Sequence, residues 1–291
     1  MTQRLSIRDL ENLSGIKAHT IRIWEKRYEL FDPLRTPTNI RTYDSSDLKK
    51  LLNIVSVLKS GMKIGKATSL TDEELCDEIE FIATTNSETS NEILINDFLI
   101  STLKCDISLF EELYSKSVSL IGIEKTIEDI LYPLLVKIGM LWTVSKLQPA
   151  QEHFTSQMIR QKLFSAIDAL PQPRSDERYL LFLPEGENHE IGMLYGYYLI
   201  KKSGRECLYL GPSVPIKGVL ESVKNASSTH IVIQFITSRT NDTINNYLID
   251  VSELFHSQKV YLSGVGIDQI PETKHNNLRL LSGLKDLRKL L

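Results

Sequence analysis

The chain has 291 residues, 42% of them hydrophobic and 24% charged, which is ordinary for globular protein and enough for two or three domains. No apolar run approaches the ~18 residues that cross a bilayer, and the first residues lack the apolar core of a secretion signal, so a cytoplasmic protein without a membrane partner is expected. Cys76, Cys105 and Cys207 fit neither a zinc spacing nor a disulfide framework and read as thiols of a reducing compartment. The net charge of −3 is uneven: residues 1–70 carry 13 Lys/Arg against 7 Asp/Glu, whereas the remainder carries 21 against 30. A basic head on an acidic body suits contact with a polyanion, although solvated surfaces also carry such an excess.

The first segment reads as short helices. Ser6 offers an N-cap with Asp9 three residues on, and Leu10, Leu13 and Ile16 follow at helical spacing. Ser14 and Gly15 break the run as the turn of a helix-turn-helix would. A second helix is predicted over about 18–28, with Ile21 and Trp24 on one face. The stretch 31–43 holds two prolines and no helical period, and is predicted to be a hairpin-like wing. The run DSSD at 44–47 caps a third helix carrying Leu48, Leu51, Leu52, Ile54, Val55 and Leu58. Gly61 ends it, and 64–70 begins a short fourth.

Residues 72–170 read as helical throughout. Apolar positions recur every three or four residues over 94–103, 109–120, 127–142 and 154–170, with breaks at 86–90, Asp106, Gly122 and 145–149. That is the pattern of a four-helix bundle. A kink is expected near Pro133, which cannot donate inside a helix. The run PQPRSD at 171–176 is a linker. Beyond it the period changes. Short apolar runs at 179–183, 206–210, 230–236 and 259–263 alternate with helical stretches at 190–203, 216–225 and 243–257, and 278–281 adds a last strand. Such alternation implies a parallel sheet with helices on both faces. The expected fold is therefore multidomain: a winged helix-turn-helix head at 1–71, a four-helix bundle at 72–170, and an α/β Rossmann-like (flavodoxin-like) domain at 177–291.

Chemistry concentrates in two places. His19, Thr20, Arg22, Lys26 and Arg27 crowd the second helix, and the wing adds Arg35, Arg41 and Tyr43. A helix of this width enters a DNA major groove, where cationic and hydroxyl side chains reach phosphates and base edges. Charges alone allow a solvated basic face equally well. The run HTIRIWEKRY at 19–28 resembles the recognition helix of the MerR family. The runs RTPTNIRTY at 35–43 and GMKIG at 61–65 resemble its wing and closing segment. The resemblance covers about residues 4–70. It implies that Arg22 and its neighbours face the groove while Arg41 and Tyr43 contact the DNA backbone. MerR proteins usually continue into a long dimerising coiled coil, but no sustained heptad follows here, so assembly must use another surface.

The second place is ENHEIG at 187–192, between a predicted strand and a helix. A His in a loop at the carboxyl edge of a parallel sheet is placed to meet a ligand. Imidazole suits cobalt or iron, the carboxylate of Glu187 can orient it, and Gly192 leaves room for a planar ligand. The alternative is a solvated loop histidine. The E-x-H-x-x-G pattern resembles the cobalamin-binding domain of methionine synthase and its relatives, in which this His replaces the nucleotide base below cobalt. Trp142, followed by nine residues and then Glu152 and His153, resembles the helical cap of CarH/LitR-type light-responsive repressors, where these residues cover the upper face of adenosylcobalamin.

The resemblance implies His189 as cobalt ligand. It places Trp142, Glu152 and His153 above the corrinoid, and Glu187, Gly192, Thr237, Ser238, Gly264 and Gly266 around it. Three positions depart from the pattern. Thr143 stands where light-responsive members can carry a cobalt-ligating His. The family's Ser-x-Leu is Gln234-Phe235-Ile236, and its Gly-Gly is Gly264-Val265-Gly266. Gln234 and Val265 add bulk where the nucleotide tail is normally accommodated.

These readings converge on a transcription regulator, expected to repress, that binds double-stranded DNA as a homo-oligomer (dimer or tetramer) under control of cobalamin in its adenosyl form. Light is a further candidate signal. A second reading is a regulator of the same architecture that has lost cobalamin and answers to a protein partner. A third, a corrinoid methyl-transfer protein, accounts for His189 but not for the basic head. The sequence offers no P-loop, nucleophile elbow or metal-ligand cluster, so no enzyme is expected.

Overall fold

The computed structural model describes residues 4–36, 38–85, 87–143, 147–173, 175–237, 240–264 and 277–291. The chain forms two compact units, Met1–Met158 and Ile159–Leu291.

The first unit opens with α1 (Ile7–Ser14). Both halves of a capping box start it: Ser6 Oγ accepts from Asp9 N at 3.3 Å, and Ser6 N donates to Asp9 Oδ2 at 2.7 Å. In α2 (Ala18–Tyr28) the free N–H of Ala18 donates to Glu11 of α1 at 3.2 Å, which ties the two helices at the turn. The wing is β1 (Leu34–Arg35) paired antiparallel with β2 (Arg41–Thr42). Asn39, at φ 61°, makes its tight turn. A second capping box, Asp44 with Asp47, starts α3 (Ser45–Lys59), and α4 (Ile64–Ala67) follows. Leu10, Leu13, Ile21, Leu48, Leu51 and Leu52 are buried and close the core of this head.

The helical region continues with α5 (Asp72–Thr85), α6 (Ser87–Lys104), α7 (Ile107–Lys125), a π-helical stretch (Thr126–Leu131), α8 (Tyr132–Thr143) and α9 (Pro149–Asp168). Helices α6 to α9 correspond to the four expected, and α5 is added to them. Since α3 packs against both α5 and α6, the head's longest helix also belongs to the bundle's packing. Gly122 (φ 79°, ψ 163°) breaks the helical path at the expected place. Pro133 is the second residue of α8, just after the π-helical stretch ends at Leu131, so the helical path departs from regular α geometry next to the proline, where a kink is expected. Phe98, Phe110 and Phe154 meet edge to face and join α6, α7 and α9.

The second unit is a five-stranded sheet in the order β4-β3-β5-β6-β7, with every pair parallel. The strands are β3 (Arg178–Pro184), β4 (Glu206–Val214), β5 (His230–Phe235), β6 (Lys259–Gly264) and β7 (Leu278–Leu281). Strand β3 is buried from Tyr179 to Pro184, as a central parallel strand covered on both faces must be. On one face Leu180, Phe182, Ile231, Ile233, Val260 and Leu262 pack against Val219 and Val223 of α11 (Ile216–Asn225) and Ile244, Leu248 and Val251 of α12 (Asn241–Leu254). On the other lie α10 (Ile191–Lys202) and α13 (Leu284–Leu290), which pack on β3, β4 and β7 and on each other. The Lys/Arg-containing residues after β7 thus form a helix. The second half of α9 belongs to this unit. Arg160 pairs with Glu190 at 2.5 Å, and Lys201 of α10 donates to the Ile167 carbonyl at 2.8 Å. Among the described residues, no helix is long and apolar enough to cross a membrane.

Candidate functional site

On the head, α2 turns Ile21 into the core and leaves His19, Arg22, Lys26 and Arg27 exposed, with Thr20 half-buried. In the wing, Arg35 is exposed and its guanidinium donates to Asn39 Oδ1 at 2.8 Å, which braces the turn. Glu25, which the charge pattern does not single out, joins wing to helix. Arg41 Nε donates to one carboxylate oxygen at 2.7 Å, and the Tyr43 hydroxyl donates to the other at 2.8 Å. Tyr43 is fully buried, and burial followed by the Glu25 carboxylate pushes its pKa up. The only signal for Glu25 in the sequence is an acid on a basic helix.

In the second unit, the strand order reverses direction between β3 and β5. In parallel α/β sheets the crevice beyond the strand ends at such a point receives ligands. The loops after β3 and β5 meet there through Glu187, whose side chain is wholly buried. One oxygen accepts from Ile236 N at 2.9 Å and Thr237 N at 2.7 Å, and the other from His189 N at 3.1 Å and His189 Nδ1 at 2.7 Å. Burial raises the carboxyl pKa, but the Thr237 N–H, the imidazole and the other two amides outweigh it and bring it to about 2. An ionised carboxylate only accepts, so Nδ1 is the donor in this pair, and in the neutral tautomer that this bond selects the lone pair lies on Nε2. The His189 ring is 66% exposed.

Around this pair the backbones are close. A Cβ on Gly192, in the first turn of α10, would come within 2.9 Å of the Gln234 amide. Gly264, opposite Phe235 at the end of β6, has φ +127°, and a Cβ there would collide with the Phe235 carbonyl oxygen at 1.6 Å. Thr237 takes part through its N–H. Ser238 and Gly266, with Val265, lie outside the described residues. Next to His189, buried Glu190 receives both Arg160 of α9 and the Tyr209 hydroxyl of β4, a connection not apparent from sequence spacing.

The remaining candidates belong to the first unit. Trp142, near the end of α8, is 55% exposed, so it is not a core residue of that unit. On α9, buried Gln151 donates to the Leu103 carbonyl at 2.7 Å and Thr155 meets Thr102 at 2.7 Å, which fixes that face against α6. Glu152 is partly buried and accepts from Ser156 at 2.7 Å, while its other oxygen lies 3.0 Å from Nδ1 of exposed His153.

Residues 5–74 match the MerR HTH family regulatory protein, and residues 94–165 match the B12 binding domain. The chain joins a MerR-type helix-turn-helix to a B12-binding domain. The B12-binding segment comprises most of α6 through α9 and so includes Trp142, Glu152 and His153. Among curated proteins, the HTH-type transcriptional repressor CarH of Myxococcus xanthus is 27% identical over 252 residues, covering 85% of this chain and 83% of that protein. The HTH-type transcriptional repressor CarA of the same organism is 24% identical over 264 residues, covering 90% of this chain and 87% of that protein. Among solved structures, the Methanosarcina barkeri monomethylamine corrinoid protein matches with a TM-score of 0.52 at 15% identity, covering 68% of this chain and 94% of that one. That likeness concerns the fold alone.

Proposed function

We propose that the chain is a DNA-binding transcription repressor controlled by a cobalamin, with His189 as the ligand below cobalt. One observation carries the reading. A buried, ionised Glu187 holds Nδ1 of an exposed imidazole at 2.7 Å and leaves Nε2 as the donor, in the crevice where parallel sheets receive ligands. The donor chemistry fits a corrinoid. A bound corrinoid supplies a cobalt centre and, when alkylated, a cobalt–carbon bond that light can cleave. The chain's own residues do the rest. Glu187 fixes the tautomer and angle of His189, and Gly264 permits close approach of the strand ends. Trp142, Glu152 and His153 form the upper cover and favour the adenosyl form, Trp142 by shape and Glu152 by accepting a hydrogen bond from a ribose hydroxyl.

The head, the bundle and the α/β domain act as DNA reader, cover and corrinoid base. Arg22, with His19, Thr20, Lys26 and Arg27, reads the major groove, and Arg35 and Arg41 of the wing meet phosphates with Tyr43 as support. Cobalamin favours a homo-oligomer in which several heads engage one duplex.

The experiment is spectroscopic. The protein is reconstituted in the dark with adenosylcobalamin, the cobalt is reduced to its paramagnetic Co(II) state, and electron paramagnetic resonance is recorded with natural and 15N-labelled histidine. Expected is a nitrogen splitting that changes with the label, and a loss of that label dependence in His189→Ala. A splitting unaffected by the label would refute His189 as the ligand.

A further inference from the structure

One side chain packs on the glycine in the first turn of α10, close to His189 in sequence. Gln234, near the end of β5, lays its amide over Gly192, so that Nε2 and Oε1 both lie 2.9 Å from where a Cβ would stand. Gln234 Oε1 is buried and has no hydrogen-bond partner among the described residues. Buried acceptors are nearly always paired, so the amide holds this place without the usual compensation. Gly192 is what makes the place available: any larger residue there would expel the amide.

The chemistry of the ligand gives this packing a consequence. A cobalamin that yields its lower cobalt position to His189 releases its own benzimidazole, and the freed nucleotide tail needs room beneath the corrin ring. The neighbouring room is the crevice between the ends of β3 and β5, where Gln234 packs on α10. We propose that Gln234 is a specificity-determining residue that disfavours the nucleotide tail. The site then takes a corrinoid lacking the tail, cobinamide, at least as tightly as cobalamin. This inference rests on the reading of His189 as the cobalt ligand. A corrinoid without a tail leaves the amide where it is, whereas a tailed one must swing it away from Gly192.

The test is calorimetric titration of the full chain with hydroxocobalamin and with diaquocobinamide, using the natural protein, Gln234→Ser and Gln234→Ala. The natural protein is expected to bind cobinamide no more weakly than cobalamin. Both variants are expected to gain about tenfold in cobalamin affinity and to change by less than about threefold toward cobinamide. A natural protein that prefers cobalamin about tenfold, or variants that move both ligands equally, would overturn the proposal and leave His189 in its role. If none of the three proteins binds either corrinoid, both readings fall. Thermal unfolding adds a readout that needs no ligand. Gly192→Ala should lower the melting temperature when Gln234 is present and much less in the Gln234→Ser background. Equal losses in both backgrounds would contradict the contact.

Discussion

A wholly buried carboxylate that stays ionised needs compensation, and Glu187 has it in three backbone amides and one imidazole. The consequence is a pH dependence with a definite sign. The carboxyl pKa falls from an ordinary 4.5 to about 2 on folding, so the unfolded chain binds the proton more tightly. The stabilisation is complete above pH 4.5 and is lost as the pH falls through about 2. Its size is on the order of 3 kcal/mol. Glu187→Gln should therefore lower stability at neutral pH and flatten the loss between these limits, as read by urea unfolding at a series of pH values. A variant curve parallel to that of the natural protein would show that the carboxylate is not the group responsible. The Glu187–His189 bond is readable from a spacing of two residues. The amides of Ile236 and Thr237 are not, because they reach Glu187 only once β5 has paired with β3.

Among the elements, the wing has only two residues in each strand, too few to hold themselves. It is held instead by the bridge between Leu5 and Tyr43 and by Glu25, which fastens both Arg41 and Tyr43 to α2. Glu25→Ala leaves the buried Tyr43 hydroxyl without its acceptor, a loss of about 1–3 kcal/mol. It also frees the wing, so affinity for duplex DNA should fall although no contact residue has changed. Thermal unfolding and fluorescence anisotropy measure the two effects. Unchanged values for both would refute this fastening role of Glu25. A count of charges along α2 overlooks Glu25 because its partners stand 16 and 18 residues away. By contrast, the boundaries of α1, α3 and β3 follow from caps and apolar runs, since Ser6, Asp44 and the buried Tyr179–Pro184 stretch act locally.

For the whole molecule, the notable feature is α9. It carries Glu152 and His153 on its first half and ties Arg160 to Glu190, beside His189, on its second, and the division into compact units falls within it. The linker at 171–176 marks where that helix has ended, whereas the bonds of Arg160 and Lys201 decide which unit its second half joins. Sequence composition records the first and not the second. The basic head and acidic remainder are as legible in the sequence as the alternation of strands and helices, but neither indicates how corrinoid and DNA are coupled. In the proposed account, cobalamin gathers several heads into one assembly, and the heads then bind at high effective concentration. Fluorescence anisotropy of the full chain in the dark measures this coupling, with a labelled duplex selected by the chain itself from a random library, with and without adenosylcobalamin, and with His189→Ala alongside. Adenosylcobalamin is expected to tighten DNA binding by about tenfold or more, and His189→Ala to abolish the response without weakening the ligand-free affinity; equal affinity with and without adenosylcobalamin, or an undiminished response in His189→Ala, would refute the coupling.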